Sequence, residues 1–470
     1  MRYLRVFLML AAVMHPMFLL AENERTTAKP QTLLDVYHQA LANDPTLASA
    51  LNANKAAQEI IEQGKALYRP IVNFTTSASN SRTDITFLDR RTDTIFSDRK
   101  ISGGRANFDT YRAGFEARQP IYRKQNLVQM DQAKTQVSQA DKQYNLSQQQ
   151  LILRATEAYF QVLIAQDQIG LIQAQKTAIL SQLAQAKASF DIGTLTITDV
   201  NEAQARYDLT VALEVAAINE YEIAKRAVQA ITGEIPDSLA RIKTDINVVP
   251  LQQSMADWQE IARENNLNIQ IQQQALALAE QEIQRANAGH LPTLDLVASY
   301  TDSLVNGSPT PFNAGNQLKI ATIGLQLDIP LYQGGAISSL ARQAVYNKQR
   351  AQDDLDIARR QTDLEAQRAF LNLNTSIAQV KAFEQALISS QSQLDSTSLG
   401  YEVGVRNSVD VLNAQQQIFA ARRDLLQARY NYLVNIIRLK ASAGLLSEAD
   451  LIEINQQLMA SNTSRKAVND

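Results

Sequence analysis

The sequence predicts an α+β membrane protein in which long α-helical coiled-coil rods carry a few β-strands that other copies complete into a barrel, laid out as two internal repeats. Three observations predict it. The stretch Phe190 to Asp199, FDIGTLTITD, has an echo at Tyr401 to Asp410, YEVGVRNSVD, each with Gly fourth and Asp tenth. Each stretch closes a helical pattern far longer than that of an ordinary globular helix. Four short segments alternate apolar and polar residues with the period of a strand.

Bulk composition narrows the possibilities. The 470 residues carry a formal charge of only −3, which gives no electrostatic footprint for nucleic acid. With no cysteine there is no disulfide framework, no thiol chemistry, no Cys-ligated metal and no cysteine to carry a lipid anchor. Met1 to about Ala21 reads as a signal peptide. Arg2 and Arg5 precede an apolar run from Val6 to Leu20, and polar ENERTTAKPQ follows at once. Beyond it no apolar run is long enough for a transmembrane helix.

From Thr32 to about Gly64 the pattern is helical, interrupted at Asn43-Asp44-Pro45. The period then changes. Val72, Phe74, Thr76 and Ala78 oppose Asn73, Thr75, Ser77 and Ser79, a polar loop fills roughly 80 to 106, and Tyr111, Ala113, Phe115 and Ala117 oppose Arg112, Gly114, Glu116 and Arg118. Pro120 is expected to end this strand and a helix to start near Ile121. At 1.5 Å per residue that helix, running to Gly193, is on the order of 100 Å long. A 4-3 spacing from Leu151 through Ala155, Ala158, Val162, Ala165, Ile169, Ile172, Lys176, Ile179, Leu183 and Ala186 to Phe190 predicts a coiled-coil seam of small residues. Gly193 suits the left-handed helix terminator. A return helix is expected from about Asp199 to Ile231, with Asp199 as its cap and Glu202 completing a capping box.

The second half repeats this plan. Gly193, Asp199, Val200, Ala203, Gln204, Ala217, Tyr221, Ala230 and Gly233 recur 211 residues later, and Asn43, Ala53, Ala57, Ile61, Ala66, Pro70 and Ser77 recur 222 later. Leu294, Leu296, Ala298 and Tyr300 form one alternating set, and Ala321, Ile323, Leu325, Leu327 and Ile329 another. The expected divisions are a signal peptide (1–21) and a first repeat (32–233) with its hairpin at about 71–119. A linker (234–256), a second repeat (257–444) with its hairpin at about 293–329, and a polar C-terminal tail (445–470), partly loose after about Leu451, complete them.

Strands apolar on one face, joined to Gln- and Ala-rich helices that leave no globular core to cover, match transmembrane β-strands. Four strands cannot close a barrel, and an open edge in hydrocarbon leaves backbone groups unpaired. The chain must therefore oligomerise: two copies would fill the interior with side chains, and three would leave a lumen. Tyr68, Tyr122 and Tyr332, at strand ends on the helical side, suit an interfacial aromatic belt.

Taken with DIGTLTITDVNEAQARYD at 191–208, GHLPTLDL at 289–296, IPLYQGG at 329–335 and YEVGVRNSVDVLNAQ at 401–415, the chain resembles the TolC family of outer-membrane channel-tunnels over about residues 32 to 455. The resemblance implies a homotrimer with a twelve-stranded barrel in outer-membrane lipid and a periplasmic helical tunnel closed at its inner end. It implies an exit duct for multidrug efflux or type I protein secretion, opened by a periplasmic adaptor (membrane fusion protein) serving an inner-membrane transporter of RND, ABC or MFS type. It also assigns residues. A closing network falls on Thr198, Asp199, Tyr401 and Arg406, and a constriction ring on Asp410. A second acidic residue is implied at 413, where this chain has Asn413, so weaker cation selectivity is implied. Adaptor contact falls on Gly193, Thr194, Leu195, Gly404, Val405 and Arg406.

Two other function classes compete. An enzyme finds no support, because His38 and His290 belong to no catalytic or metal-binding motif and no cofactor site is expected. A periplasmic coiled-coil adaptor or scaffold is the alternative, but it needs one helical hairpin on a compact β-domain, where this chain has two.

Overall fold

The structure is a computed structural model that describes residues 30–86, 104–243, 246–307, 314–456 and 458. The expected signal peptide, most of the 80–106 loop and the last dozen residues of the tail lie outside the described residues. The chain runs α1 (Leu33–Asn43), α2 (Pro45–Ala66), β1 (Ile71–Ile85), β2 (Gly104–Tyr122), α3 (Lys124–Asp191) and α4 (Ile197–Thr232). It then runs α5 (Met255–Asn265), α6 (Leu267–Asn287), β3 (Thr293–Asn306), β4 (Asn316–Asp328), α7 (Ala336–Glu402) and α8 (Ser408–Ser442), with α9 (Glu448–Asn455) at the end. The same order of two helices, a strand pair, a long helix and a return helix occurs twice.

The long helices α3 and α7 span 68 and 67 residues. Each is paired along its length by two shorter partners, α3 by α2 and α4, α7 by α6 and α8, and α3 also packs on α6 and α8. That explains why α3 buries more than the single expected seam. Leu151, Ala155, Val162, Ala165, Ile172, Ile179, Leu183 and Ala186 are buried, but so are Ile152, Thr156, Tyr159, Phe160 and Leu163. Phe190, the last expected seam residue, is exposed, because α3 has reached its tip there. Lys176, the charged seam member, pairs with Glu214 of α4.

The core lies midway along the rods. Phe160 meets Tyr159 edge-on and Tyr430 at a tilt, with ring centroids 5.6 and 5.7 Å away. The linker straps across it. Gln31 and Ala240 exchange backbone bonds with the strap and N-terminal segment (Gln31 N to Ser238 O, Ala240 N to Gln31 O, both 2.9 Å), and the Tyr159 hydroxyl donates to Ala240 O at 2.7 Å. The region after Leu451, expected to be partly loose, is packed at Ile454 and again at Leu458. Leu451 and Ile454 of α9 are buried, and Leu458 bridges to Ile242 of the strap, because the tertiary contact and not local hydropathy orders it.

The sheet is a meander in the order β1-β2-β3-β4, antiparallel throughout. Its register pairs Phe74 with Phe115, Phe115 with Tyr300 and Tyr300 with Ala321, and one step along Val72, Ala117, Ala298 and Ile323. Directly paired residues share a face, so the apolar sets of all the strands fall on one side. The other side carries Asn73, Glu116, Ser299 and Thr322. Pro120 does not end β2: the strand continues to Tyr122 through a register shift, which accommodates the missing N–H. Strand pairing also reaches past Ser79 to Ile85 and back to Gly104, held by polar cross-strand pairs such as Arg105 with Asp84 at 2.8 Å.

Where the sheet meets the helices, Asp295 is buried under two guanidinium groups. Arg118 Nε donates to it at 2.9 Å, and Arg123, which precedes α3, makes a fork of 2.9 and 2.6 Å. This cluster ties the start of α3 to β2 and β3.

Candidate functional site at the helix tips

The two turns at the far end of the rods are built alike. In the first, Gly193 adopts φ of 80° after α3, and the amides of Thr194 and Leu195 close on Ser189 O at 2.9 and 3.3 Å. In the second, Gly404 also has φ of 80°, and Val405 and Arg406 close on Gly400 O at 2.8 and 3.0 Å. A side chain on Gly400 would meet Arg406 Cγ at 2.8 Å, so the Arg406 stem lies over this glycine. The sequence reading passed over Gly400, whose counterpart in the first copy is Ser189.

The first return helix, α4, starts at Ile197, two residues before the expected Asp199, which changes the role of that aspartate. Thr196, not Asp199, is the N-cap of α4, and Asp199 is the reciprocal member of the capping box. Its Oδ2 accepts from Thr196 N at 3.0 Å and from Thr196 Oγ1 at 2.6 Å. Glu202 takes no part in this box. Asn407 and Asp410 repeat the arrangement at α8. Both carboxylates thus sit where the helix dipole favours negative charge.

The tips meet through Asp199. Its free oxygen, Oδ1, accepts from Ser408 Oγ at 2.9 Å, joining the N-termini of α4 and α8. The hydroxyl of Thr196, then that of Ser408, then the Thr196 amide hold the Asp199 carboxyl below the usual carboxylate range. A small apolar cluster, Leu183, Ala186, Val200, Ala203 and Leu412, lies behind this contact, with Leu195 and Tyr207 packed on it.

Of the residues assigned to a closing network, Arg406 faces Asp410 at 3.8 Å on its own tip. Among the described residues no hydrogen bond within the chain joins Tyr401 or Arg406 to Thr198 or Asp199. Asn413 accepts from Arg206 Nη2 at 2.8 Å. Arg206 and Ser408 were missed by the sequence reading, since each becomes conspicuous only once the register between α4 and α8 is known. The tip surface is apolar at Ile192 (76% exposed), Val403 and Val405 (76%), whereas Leu195 is half-buried. Among the described residues no group of His, Cys, Asp or Glu is placed to hold a metal, and no helix is long and apolar enough to cross a membrane, which leaves a β-barrel open.

Comparison with known proteins supplies context for this geometry. Residues 36–234 and 258–445 match the outer membrane efflux protein family. The chain is 33% identical over 429 residues to outer membrane protein TolC of Vibrio cholerae, covering 91% of this chain and 94% of that one. It is 31% identical over 434 residues to the alkaline protease secretion protein AprF of Pseudomonas aeruginosa, covering 92% and 87%. Among solved structures, a channel-forming CusC superposes with a TM-score of 0.72 at 18% identity, covering 88% of this chain and 92% of that one.

Proposed function

The chain belongs to the outer membrane efflux protein family, and from that premise we propose that three copies assemble into one conduit, with the tips as its gate. It is a non-enzymatic outer-membrane channel protein of efflux and type I secretion, with the helical tunnel fold of its relatives.

One observation carries the oligomer: the sheet has its apolar residues gathered on a single face and unpaired edges on β1 and β4. Hydrocarbon does not tolerate those edges, so β4 of one copy pairs with β1 of the next. Three copies give a barrel of about twelve strands, wide enough for a lumen. The two-repeat layout then surrounds a continuous periplasmic tube with equivalent hairpins.

In this assembly Asp410 of each copy forms a ring at the constriction, with Asn413 at the next level. Since no bond of Tyr401 or Arg406 to Thr198 or Asp199 forms within one chain among the described residues, these gate bonds form between neighbouring copies. A periplasmic adaptor docks end-to-end on Gly193, Thr194, Gly404, Val405 and Arg406, with Ile192 and Val403 giving the apolar contact. An inner-membrane transporter of RND, ABC or MFS type delivers the cargo.

The test is recovery of the full chain from outer membranes, followed by mass measurement and planar-bilayer recording. A species of three copies that conducts is the expected result. A stable non-conducting monomer would overturn the reading.

A further inference from the structure

The tips of one chain are held together by two polar rungs, of which Asp199–Ser408 is the first. The second starts from Arg206. Its Nη1 donates to Gln416 Oε1 at 2.7 Å, and its Nη2 donates to Asn413 Oδ1 at 2.8 Å and to Glu202 Oε1 at 3.2 Å. Residue numbers rise together along both helices, from 199 with 408 to 206 with 413 and 416, so α4 and α8 run parallel here. Seven residues separate Asp199 from Arg206, which is two turns on one helix face and about 10 Å. The rungs therefore pin the same seam at two levels.

The Arg206 side chain is half-buried, 26% exposed. Its Nε is buried without a partner. It borders a cavity of about 70 Å³ shared with Ile179, Leu213, Leu412, Gln415 and Gln416. A surface arginine would gain little from a neutral amide. This one sits in a crevice between two helices and turns its fork to two amides of the facing helix as well as to Glu202 on its own, a planar geometry that lysine does not reproduce.

We propose that Arg206 is a positioning residue of the gate, latching α4 to α8 in the closed tip through Asn413 and Gln416. The proposal rests on the channel reading above. Any opening that slides or tilts one hairpin against the other must break this fork. The substitution at 413 then has a local logic. An amide accepts from Arg206 and leaves the latch releasable, whereas a carboxylate would form a charge-assisted pair with it. Asn413→Asp in this chain thus tightens the tip before it adds negative charge to the lumen.

The experiment is planar-bilayer recording of the purified full-length oligomer, wild type against Arg206→Gln, Arg206→Lys, Asn413→Asp and the double variant Arg206→Gln/Asn413→Asp. Removing hydrogen bonds from a charged donor is expected to raise the open fraction of Arg206→Gln about tenfold, and to shift its reversal potential in a salt gradient toward cations. Arg206→Lys keeps the charge, so its reversal potential stays near wild type while its open fraction rises. Asn413→Asp lowers the open fraction when Arg206 is present and does not lower it in the Arg206→Gln background. The latch is overturned if Arg206→Gln gates like wild type, or if Asn413→Asp acts equally in both backgrounds. Absence of any current from wild type would instead sink the channel reading itself, and the latch with it.

Discussion

Asp44 shows how much one carboxylate can carry at this scale. It is the N-cap of α2, accepting from Leu47 N at 2.9 Å, and it is only 3% exposed. Arg154 of α3 meets the same group with a fork of 3.3 and 2.6 Å. Burial pushes its carboxyl up, but the Arg154 bonds and the Leu47 amide outweigh this and hold it below the usual range. The second repeat supplies an internal control. Position 266, 222 residues on, is Asn266, which caps α6 through Asn268 N, and position 365, 211 residues after Arg154, is Glu365. Asp44→Asn therefore copies the second repeat's cap into the first while leaving Arg154 without its anion. The expected loss is about 1–3 kcal/mol at neutral pH, from the charge-assisted bonds to Arg154, whose guanidinium is partly exposed and turns to water. A depressed folded-state carboxyl stabilises above the unfolded range near pH 4 and loses that contribution as pH falls through the folded value. Urea unfolding of wild type and Asp44→Asn should accordingly differ at neutral pH and converge in acid. A difference that is the same at every pH would exclude Asp44 as its source.

At the scale of elements, what the sequence revealed and what it hid separate along a physical line. Gly193, Gly404, Asp199 and Asp410 were legible because each serves its own backbone within a few residues, and local duties leave local patterns. The strand alternation at Val72 and Tyr111 was legible for the same reason. The extent of β1 and β2 was not, since polar pairs such as Arg105–Asp84 continue the ladder without any hydrophobic period. Pro120 misled because a bulge, which depends on the neighbouring strand, absorbs it. The seam between α4 and α8 joins residues some two hundred positions apart, so nothing near Arg206 or Ser408 announces their role. The strap is the fullest case of hidden order. Residues 238–242 have no period of their own and are fixed by Tyr159, Gln31 and Leu458. Tyr159→Phe keeps the ring against Phe160 but leaves Ala240 O without its donor, at a cost of about 1–3 kcal/mol. Limited proteolysis in the 234–256 linker should then speed up while the rods stay resistant. Equal cleavage of both proteins would mean that the backbone bonds to Gln31 suffice.

For the whole molecule the decisive feature is the mismatch between a sheet and its own chain. Ile323 is 77% exposed, and Leu325 and Leu327 beside it are nearly as bare, yet all lie in the register that gathers the apolar side chains on one face. A water-soluble sheet would bury that face against the helices, and here the rods leave from the strand ends instead. Exposure on this scale marks a surface meant for an apolar partner. Thr322, the next residue along β4, pairs with Ser299 on the opposite, polar face. The two positions make a matched test, because they share a strand, a depth and a backbone. In the proposed barrel Ile323→Lys places a charge in lipid, at a cost of about 2–4 kcal/mol per copy near the midplane, and repetition around the ring multiplies it. Thr322→Lys places the same charge in the lumen, where water remains. Outer-membrane yield should collapse for Ile323→Lys and hold for Thr322→Lys, and only Thr322→Lys should return channels with altered ion selectivity. Equal yields would mean that the apolar face does not meet lipid. A barrel would then not be what joins the copies.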